Sequence, residues 1–243
     1  MLAGSMCVNA WRSEVVVTMR SNNALVNDRC KLPSALIWLI LSFALAICAV
    51  TPYVPVLTYY DAMVLHALNP DAPPRFLDAL LLAITRLGKN PLFILLLITW
   101  LIWRRRWRAI GVIGVLIIAI ACTDLLTGKV AKRFWQRPRP ARVDESVRAV
   151  ESPGHSFSFP SAHASNWFAG ARVLSALVPE GCFAFYILAV LVAYSRIYLG
   201  VHYPTDVVAG AISGYLISSL LLWLLMRIPH THATLEKIKK NTA

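Results

Sequence analysis

Long stretches without charge constrain this chain more than any other feature of its sequence. Residues 32–60 contain no Asp, Glu, Lys or Arg, and residues 109–123 are equally free of charge. A helix of about 20 consecutive apolar residues spans the hydrocarbon core of a bilayer. Hydrophobic residues make up 58% of the whole chain, which is above the range of soluble proteins. The sequence therefore predicts an integral membrane protein.

The order of the apolar runs predicts an all-α fold, a bundle of six transmembrane helices. The first span lies in residues 32–60, where Pro52 and Pro55 are expected to end it. The other predicted spans are residues 91–103, 109–127, 161–178, 183–199 and 206–226. Residues 91–103 are short for a span, so polar and basic residues at their ends have to complete it.

Residues 61–89 separate the first two spans and carry several charges, so they are not expected to cross the bilayer. Their apolar residues recur at helical spacing, with Arg75, Asp78 and Arg86 on the opposite face. This pattern is typical of a helix that lies in the membrane interface. Packing of the apolar face against the other spans is the alternative. The apolar residues are Phe76, Leu77, Leu80, Leu81, Ile84 and Leu87.

Basic residues outnumber acidic ones, 24 to 12, which indicates nucleic acid, anionic lipid or an anionic substrate as a partner. Many of them flank apolar runs, as in residues 104–108 and 227–240, where cytoplasmic loops anchor spans. No long basic face is left for nucleic acid, and no protein partner is identifiable. We therefore predict a multi-pass protein of the plasma (inner) membrane. Residues 1–31 are predicted to form a poorly ordered cytoplasmic tail, residues 32–228 the membrane domain, and residues 229–243 a basic cytoplasmic tail.

The outward loops carry an unusual charge. If residues 104–108 are cytoplasmic, alternation places loops 128–160 and 200–205 together on the outer face, with both termini in the cytoplasm. Residues 128–160 nevertheless contain seven Lys and Arg, against the usual bias, so we expect an anion to bind there. The five cysteines have no metal-binding spacing. Neither a metal site nor a cofactor is predicted.

Two short blocks at the outward span ends supply groups that bind phosphate. In residues 132–140, Lys132 and Arg139 provide a point charge and a bidentate fork for phosphate oxygens. In residues 159–165 a helix begins, and its free backbone N–H groups and the Ser161 hydroxyl favour an anion. His163 on this helix is placed to protonate a departing oxygen. Taken alone, the two blocks are also compatible with basic span anchors and an ordinary capped helix start.

A third block, residues 195–206, combines a cation, an imidazole and a carboxylate. Arg196 ends one apolar run, and Pro204 is suited to the first turn of the next helix. His202 and Asp206 are four residues apart and can meet. A carboxylate beside an imidazole fixes its tautomer and raises its basicity, which a histidine needs in order to attack phosphorus. An interfacial loop with a satisfied histidine is the alternative.

Together the three blocks resemble the signature of the type 2 phosphatidic acid phosphatase (PAP2) superfamily. They read Lys-x6-Arg-Pro, Pro-Ser-x-His and Ser-Arg-x5-His-x3-Asp, in that order and at span ends. Membrane lipid phosphatases, glucose-6-phosphatase and the vanadium haloperoxidases share this signature. The matching positions are Lys132, Arg139, Pro140, Pro160, Ser161, His163, Ser195, Arg196, His202 and Asp206. The resemblance covers residues 132–206 directly and the six-span layout more loosely.

The resemblance also implies a role for each site residue. His202 would form a phosphohistidine, His163 would be the general acid, and Asp206 would orient His202. Lys132, Arg139 and Arg196 would bind the phosphoryl group. The Ser161 hydroxyl and the backbone N–H of Ala162, at the predicted helix start, complete the predicted phosphate site.

One position departs from the family pattern, because Ala162 stands where the family usually has glycine. Its backbone N–H remains available, but its Cβ narrows the pocket, so we expect retained chemistry and an altered substrate preference. Lys129 and Arg137 fall out of register with the signature. The polar loop residues His155, Ser156 and Ser158 are expected to be solvated.

These features predict a metal-independent phosphatase that removes phosphate from a membrane lipid at the outer face of the membrane. The candidate substrates are a polyprenyl diphosphate, phosphatidic acid, phosphatidylglycerol phosphate and lipid A. A phosphotransferase with the same site is one alternative. A vanadate-dependent haloperoxidase is another, although those relatives are soluble. The non-enzyme alternative is a transporter or structural membrane protein whose outer basic loop binds lipid headgroups.

Overall fold

A computed structural model describes residues 34–152 and 154–227. Regular structure in these residues is helical and includes no β-strand, as the apolar pattern predicts. The predicted tails, residues 1–31 and 229–243, lie outside the described residues. By its internal contacts the chain divides into residues 1–42 and 43–243. The described part of the first unit is the beginning of one helix, and all predicted site residues belong to the second.

The helices follow one another with short connections. In chain order they are α1 (Ser34–Val50), α2 (Pro55–Leu68), α3 (Arg75–Arg86), α4 (Pro91–Arg105), α5 (Ala109–Thr123), α6 (Lys132–Trp135), α7 (Pro140–Val143), α8 (Ala162–Leu177), α9 (Cys182–Tyr198) and α10 (Pro204–Arg227). A π-helical segment, Asp124–Ala131, joins α5 to α6. Short 3-10 turns lie at Thr51–Tyr53, Leu87–Lys89, Arg106–Arg108 and Pro179–Gly181.

Local sequence signals explain several of these boundaries. Pro55, Pro91 and Pro204 are each the first residue of a helix, where a missing N–H is tolerated and the fixed φ suits the first turn. Asn90 caps α4, because its side-chain oxygen accepts hydrogen bonds from the backbone N–H groups of Leu92 and Phe93 at 2.9 and 3.3 Å.

Within the described ranges, three helical segments are long and apolar enough to cross a membrane, namely Pro91–Val143, Pro179–Tyr198 and Pro204–Arg227. A fourth arises if Ile37–Tyr53 and Pro55–Leu68, which are bent by 97°, count as one span. The first segment holds two predicted spans, α4 and α5, which the 3-10 turn at Arg106 separates. α8 has only 16 residues, so length alone does not identify it as a span. The prediction of an all-α membrane protein is confirmed.

The amphipathic pattern of residues 75–87 does form a helix, α3. Leu81 on this helix is 3% exposed and packs against Tyr198, Leu199 and Val201 at the end of α9. Its neighbour Asp78 accepts a hydrogen bond from the Tyr198 hydroxyl at 2.7 Å. The inner face of α3 therefore packs against a span, which is the alternative left open by its sequence pattern.

α8 lies at the centre of the second unit and packs against α5, α9 and α10. Two glycines bring the backbones of α8 and α10 into close contact. A Cβ at Gly210 would overlap the carbonyl oxygen of Ser161, and a Cβ at Gly214 would overlap that of Ser165. Small residues allow such close approach between membrane helices. The beginning of α8, which carries the second block, is therefore held directly on α10.

The contact at Gly214 is testable by substitution. Gly214→Ala is expected to destabilise the protein by about 1–3 kcal/mol, because the added methyl group forces α8 and α10 apart. Thermal unfolding in detergent would show a lower midpoint. Gly114→Ala on α5 is the matched control, since a Cβ there has no atom within 4 Å. Equal midpoints for the two variants would contradict the packing described here.

Candidate active site

The structure gathers the predicted site residues from four places in the chain. Lys132 begins α6 and Arg139 directly precedes α7. Ser161, Ala162 and His163 form the beginning of α8, and Arg196 lies in the last turn of α9. His202 lies in the loop before α10, and Asp206 is in the first turn of that helix. The buried members are Lys132, Arg139, Ser161, Arg196, His202 and Asp206.

His202 and Asp206 form a buried pair. Nδ1 of His202 is 3.5 Å from Oδ2 of Asp206, and the two side chains are 1% and 0% exposed. The same carboxylate oxygen accepts a hydrogen bond from the Tyr203 N–H at 2.9 Å. The loop depends on Gly200, whose φ of 74° and close approach to the Arg148 carbonyl exclude a side chain. The loop geometry thus fixes the imidazole against the carboxylate.

Ser158 completes this pair, although its position in a polar loop predicts solvation. Its side chain is fully buried, its hydroxyl donates a hydrogen bond to Oδ2 of Asp206, and it is 3.3 Å from Nδ1 of His202. The prediction for Ser158 is wrong, because the Ser158 N–H bonds to the Arg137 carbonyl at 2.7 Å and draws the loop inward. His155 and Ser156 are exposed, as expected.

Arg137 holds Asp206 from the other side. Its guanidinium bonds to Oδ1 of Asp206 and to Oδ2 of Asp61, both at 2.7 Å. It also lies 3.9 Å above the centroid of the Tyr203 ring. Arg137 is 5% exposed and Asp61 4%, so this is a buried network of one cation and two carboxylates. In the sequence, Arg137 falls out of register with the phosphate-binding signature. In the structure its guanidinium contacts the two carboxylates instead.

Arg139, one of the cations predicted to bind phosphate, lies on the Nε2 side of the His202 ring. Nη1 of Arg139 is 3.4 Å from Nε2 of His202 and donates to the Val201 carbonyl at 3.1 Å. The remaining nitrogens of Arg139 donate to Ser156. Nζ of Lys132 donates to the Phe157 carbonyl at 2.9 Å. Backbone and side-chain oxygens of the loop therefore orient both cations without neutralising their charge.

Arg196 belongs to the same site. Its Nη1 donates to Oγ1 of Thr85 at 2.8 Å and to Oε2 of Glu151 at 2.7 Å. Its Nε is buried without a hydrogen-bond partner among the described residues, as is the Ser161 hydroxyl. Buried donors in proteins are normally paired, so these two are available to the oxygens of a bound anion. The charge of Arg196 acts on both His163 and His202.

The loop environment sets the protonation state of His202. Burial lowers the pKa of the His202 imidazole to about 3, although the neighbouring Asp206 carboxylate favours the charged form. The ring is therefore neutral at neutral pH. With Nδ1 directed at Asp206 and Ser158, the lone pair at Nε2 is directed toward Arg139. A neutral imidazole with an available lone pair has the chemistry that nucleophilic attack requires.

Other residues of the site carried no local sequence signal. Asp61 lies 145 residues before Asp206, in a segment whose pattern indicates only an interfacial helix. Glu151 is one of several charges in a long polar loop. In the described part of the chain, no group of three or more His, Cys, Asp or Glu residues could hold a metal ion.

Comparisons with known proteins place this arrangement among phosphatases. The family model described as "PAP2 superfamily" matches residues 108–229. An undecaprenyl-diphosphatase of Sulfolobus acidocaldarius is 34% identical over 145 residues, which cover 59% of this chain and 68% of that protein. A decaprenylphosphoryl-5-phosphoribose phosphatase of Mycolicibacterium smegmatis is 42% identical over 107 residues, 44% of this chain and 53% of that protein. The chain thus spans about half the length of this second relative.

The fold is similar to that of a solved structure. The crystal structure of the transmembrane PAP2-type phosphatidylglycerolphosphate phosphatase from Bacillus subtilis superposes with a TM-score of 0.62 and 26% sequence identity. The match covers 78% of this chain and 96% of that protein. The fold of this chain is therefore similar to that of a transmembrane PAP2-type phosphatase.

The Arg137 network should be essential for stability. Arg137→Met is expected to destabilise the protein by about 3–5 kcal/mol, because it leaves Asp61 and Asp206 buried without a counter-charge. Thermal unfolding in detergent measures this effect. Arg133→Met, at an exposed position of α6 four residues earlier in the chain, should change little. Adding Asp61→Asn to Arg137→Met should restore part of the lost stability, and no restoration would argue against a shared charge network.

Proposed function

Because this chain belongs to the PAP2 superfamily, we propose that it is a membrane-integral lipid phosphatase. It hydrolyses a phosphomonoester or a diphosphate of a membrane lipid and forms a phosphohistidine on the way. The observation that carries this proposal is the orientation of His202. Its neutral ring has Nδ1 at the Asp206 carboxylate and Nε2 at 3.4 Å from the Arg139 guanidinium.

The phosphoryl group is proposed to lie between the imidazole of His202 and the surrounding cations. Lys132, Arg139 and Arg196 bind its oxygens, together with the Ser161 hydroxyl and the backbone N–H of Ala162 at the beginning of α8. Charge spreads over these oxygens in the transition state of phosphoryl transfer, so fixed cations stabilise it electrostatically. The unpaired donors at Arg196 and Ser161 support this placement.

The reaction is proposed to proceed in two displacements. Nε2 of His202 attacks phosphorus, the bond to the lipid oxygen breaks, and His163 gives a proton to that oxygen. His163 then takes a proton from water, which attacks the phosphohistidine and releases inorganic phosphate. Asp206 holds the Nδ1 proton of His202 and stabilises the positive charge on the ring while the phosphoryl group is attached.

Ala162 is compatible with this chemistry. Its methyl group faces Gly128 of the π-helical segment, where an added Cβ would lie 3.6 Å from it. That distance is an ordinary van der Waals contact, so the methyl group is accommodated beside Gly128. Ala162 is therefore proposed to shape the pocket, while its N–H still contributes to phosphate binding.

The membrane arrangement is proposed to follow the sequence prediction, with six spans, α3 near the interface, and both termini in the cytoplasm. The site lies at the beginnings of α8 and α10 and the end of α9. The opposite ends of α8 and α9 lie near the turn after α4, where Arg105 pairs with Glu180 at 2.9 Å. The bias of basic loops toward the cytoplasm supports the proposal that residues 104–108 lie at the cytoplasmic end and that the site faces outward from the plasma membrane.

His202→Ala tests the proposed nucleophile. Phosphate release from lipid phosphates by the purified protein should fall by more than about a thousandfold, because no other group takes over the attack on phosphorus. His155→Ala, in the exposed loop beside the site, should retain wild-type turnover. Acid-labile labelling of the wild type by a 32P-labelled substrate should disappear in His202→Ala. Retained turnover in that variant would overturn the proposed mechanism.

The three cations are proposed to replace the metal ion used by many other phosphotransferases. Phosphate release should therefore persist within about twofold when a chelator is added in excess. Product analysis in the same assay separates hydrolysis from transfer, because a phosphotransferase would place the label on an added alcohol or lipid acceptor. Loss of turnover on chelation would contradict metal independence.

A further inference from the structure

A pocket of about 330 Å³ lies beside the phosphoryl site and has no role in the chemistry described so far. One wall is the end of α3 with the turn that follows it, and the other is the loop before α8. Its lining includes Thr85, Arg86, Lys89, Asn90, Glu151 and His163. The general acid proposed above is thus part of the wall of this pocket.

The pocket and the phosphoryl site share a boundary. Thr85 and Glu151 line the pocket, and both accept hydrogen bonds from Nη1 of Arg196, at 2.8 and 2.7 Å. Arg196 is one of the cations proposed to bind the transferring phosphoryl group. A ligand in the pocket would therefore be adjacent to that group.

The charges of the pocket favour a second anion. Arg86 and Lys89 contribute two positive charges, and Glu151 is the one carboxylate among its lining residues. Glu151 is within reach of two arginines, since Oε1 is 3.9 Å from Nη2 of Arg86 and Oε2 is 2.7 Å from Arg196. The position between Arg86 and Arg196 therefore already accommodates an anionic group, the Glu151 carboxylate. Lys89 forms no ion pair with any residue in the described ranges.

The direction of the reaction assigns this pocket to the leaving group. Phosphoryl transfer requires the attacking and departing atoms to lie roughly in line on opposite sides of phosphorus. The attacking atom is Nε2 of His202, and the departing oxygen receives its proton from His163. Whatever the departing oxygen carries therefore lies on the side of His163, where Arg86 and Lys89 are found.

We propose that this pocket binds a phosphate that remains on the leaving group, so that the substrate is a lipid diphosphate. This inference depends on the lipid phosphatase activity proposed above. Attack by Nε2 forms the N–P bond to the terminal phosphorus as the P–O bond to the bridging oxygen breaks. The electron pair of that bond passes to the bridging oxygen, which takes the proton of His163 and leaves as a lipid monophosphate. Water then completes the hydrolysis.

The two cations contribute only with a leaving group of this kind. Negative charge builds up on the departing phosphate as the bond breaks, so Lys89 and Arg86 stabilise the transition state more than the bound substrate. A monoester leaves instead as an alcohol without a charged phosphate, so adjacent cations stabilise its departure less. The pocket is therefore a specificity determinant for diphosphates over monoesters.

Lys89→Met tests this assignment. The purified variant is assayed with a polyprenyl diphosphate and with the matching polyprenyl monophosphate in the same detergent, and initial rates of phosphate release give kcat/KM for each. The ratio of diphosphate to monophosphate turnover should fall by about 10- to 100-fold, since charged hydrogen bonds to a leaving phosphate are lost. Arg86→Gln should lower the same ratio.

Lys129→Met is the matched control. Lys129 is also an exposed lysine near the site, but it lines a different pocket, beside Lys132. Its removal should leave the ratio within about twofold of the wild type, because it lies away from the leaving group. Unfolding midpoints of the variants establish that the exposed substitutions leave the fold intact.

The outcomes separate the two proposals. If the wild type releases phosphate from both lipids and Lys89→Met lowers both rates equally or neither, the leaving-group assignment is wrong and the phosphatase proposal stands. An equal fall of the ratio in Lys129→Met would also overturn the assignment. The effect would then come from the loss of any positive charge near the site and not from the loss of a leaving-group contact. If the wild type releases phosphate from neither these lipids nor other lipid phosphates, the phosphatase proposal fails, and the subsite proposal fails with it.

Discussion

The site depends on one buried guanidinium shared by two carboxylates. Arg137 bonds to Asp61 on α2 and Asp206 on α10 at 2.7 Å each. Isolated charges are expensive to bury, so each carboxylate is tolerable in the interior only because the cation is there. The same contact fixes the rotamer of Asp206, which in turn orients His202. A structural charge pair and the proposed nucleophile are thus coupled through one side chain.

Charge is divided between the two faces of the His202 ring. On the Nδ1 side, Arg137 is neutralised by acidic partners, and the Ser158 hydroxyl fills the remaining position. On the Nε2 side, Arg139 is held mainly by carbonyl and hydroxyl oxygens, which orient it without cancelling its charge. The proposed chemistry uses this asymmetry, because a basic ring on one side and uncompensated cations on the other suit an anionic electrophile.

Much of the helical fold and of the candidate site was predictable from local sequence patterns. Uncharged runs indicate the helices, and residues four apart in sequence, such as His202 and Asp206, are brought together by a turn and the helix that follows it. The burial of Ser158 and the partnership of Arg137 with Asp61 were not predictable, since these contacts join residues 48 and 76 positions apart. Periodicity reports only which face of one element is apolar. It likewise left open whether α3 packs on the spans, which only tertiary structure decides.

The backbone contact at Gly210 and Gly214 also affects how such an enzyme can evolve. α8 carries His163, and α10 begins directly after the loop that carries His202. Helices in direct backbone contact slide little against each other. The distance between His163 and His202, the two histidines proposed to react, is thereby held constant. Adaptation to new lipids then falls to α3 and to the loop before α8, so substrate range can drift while the reaction geometry is inherited unchanged.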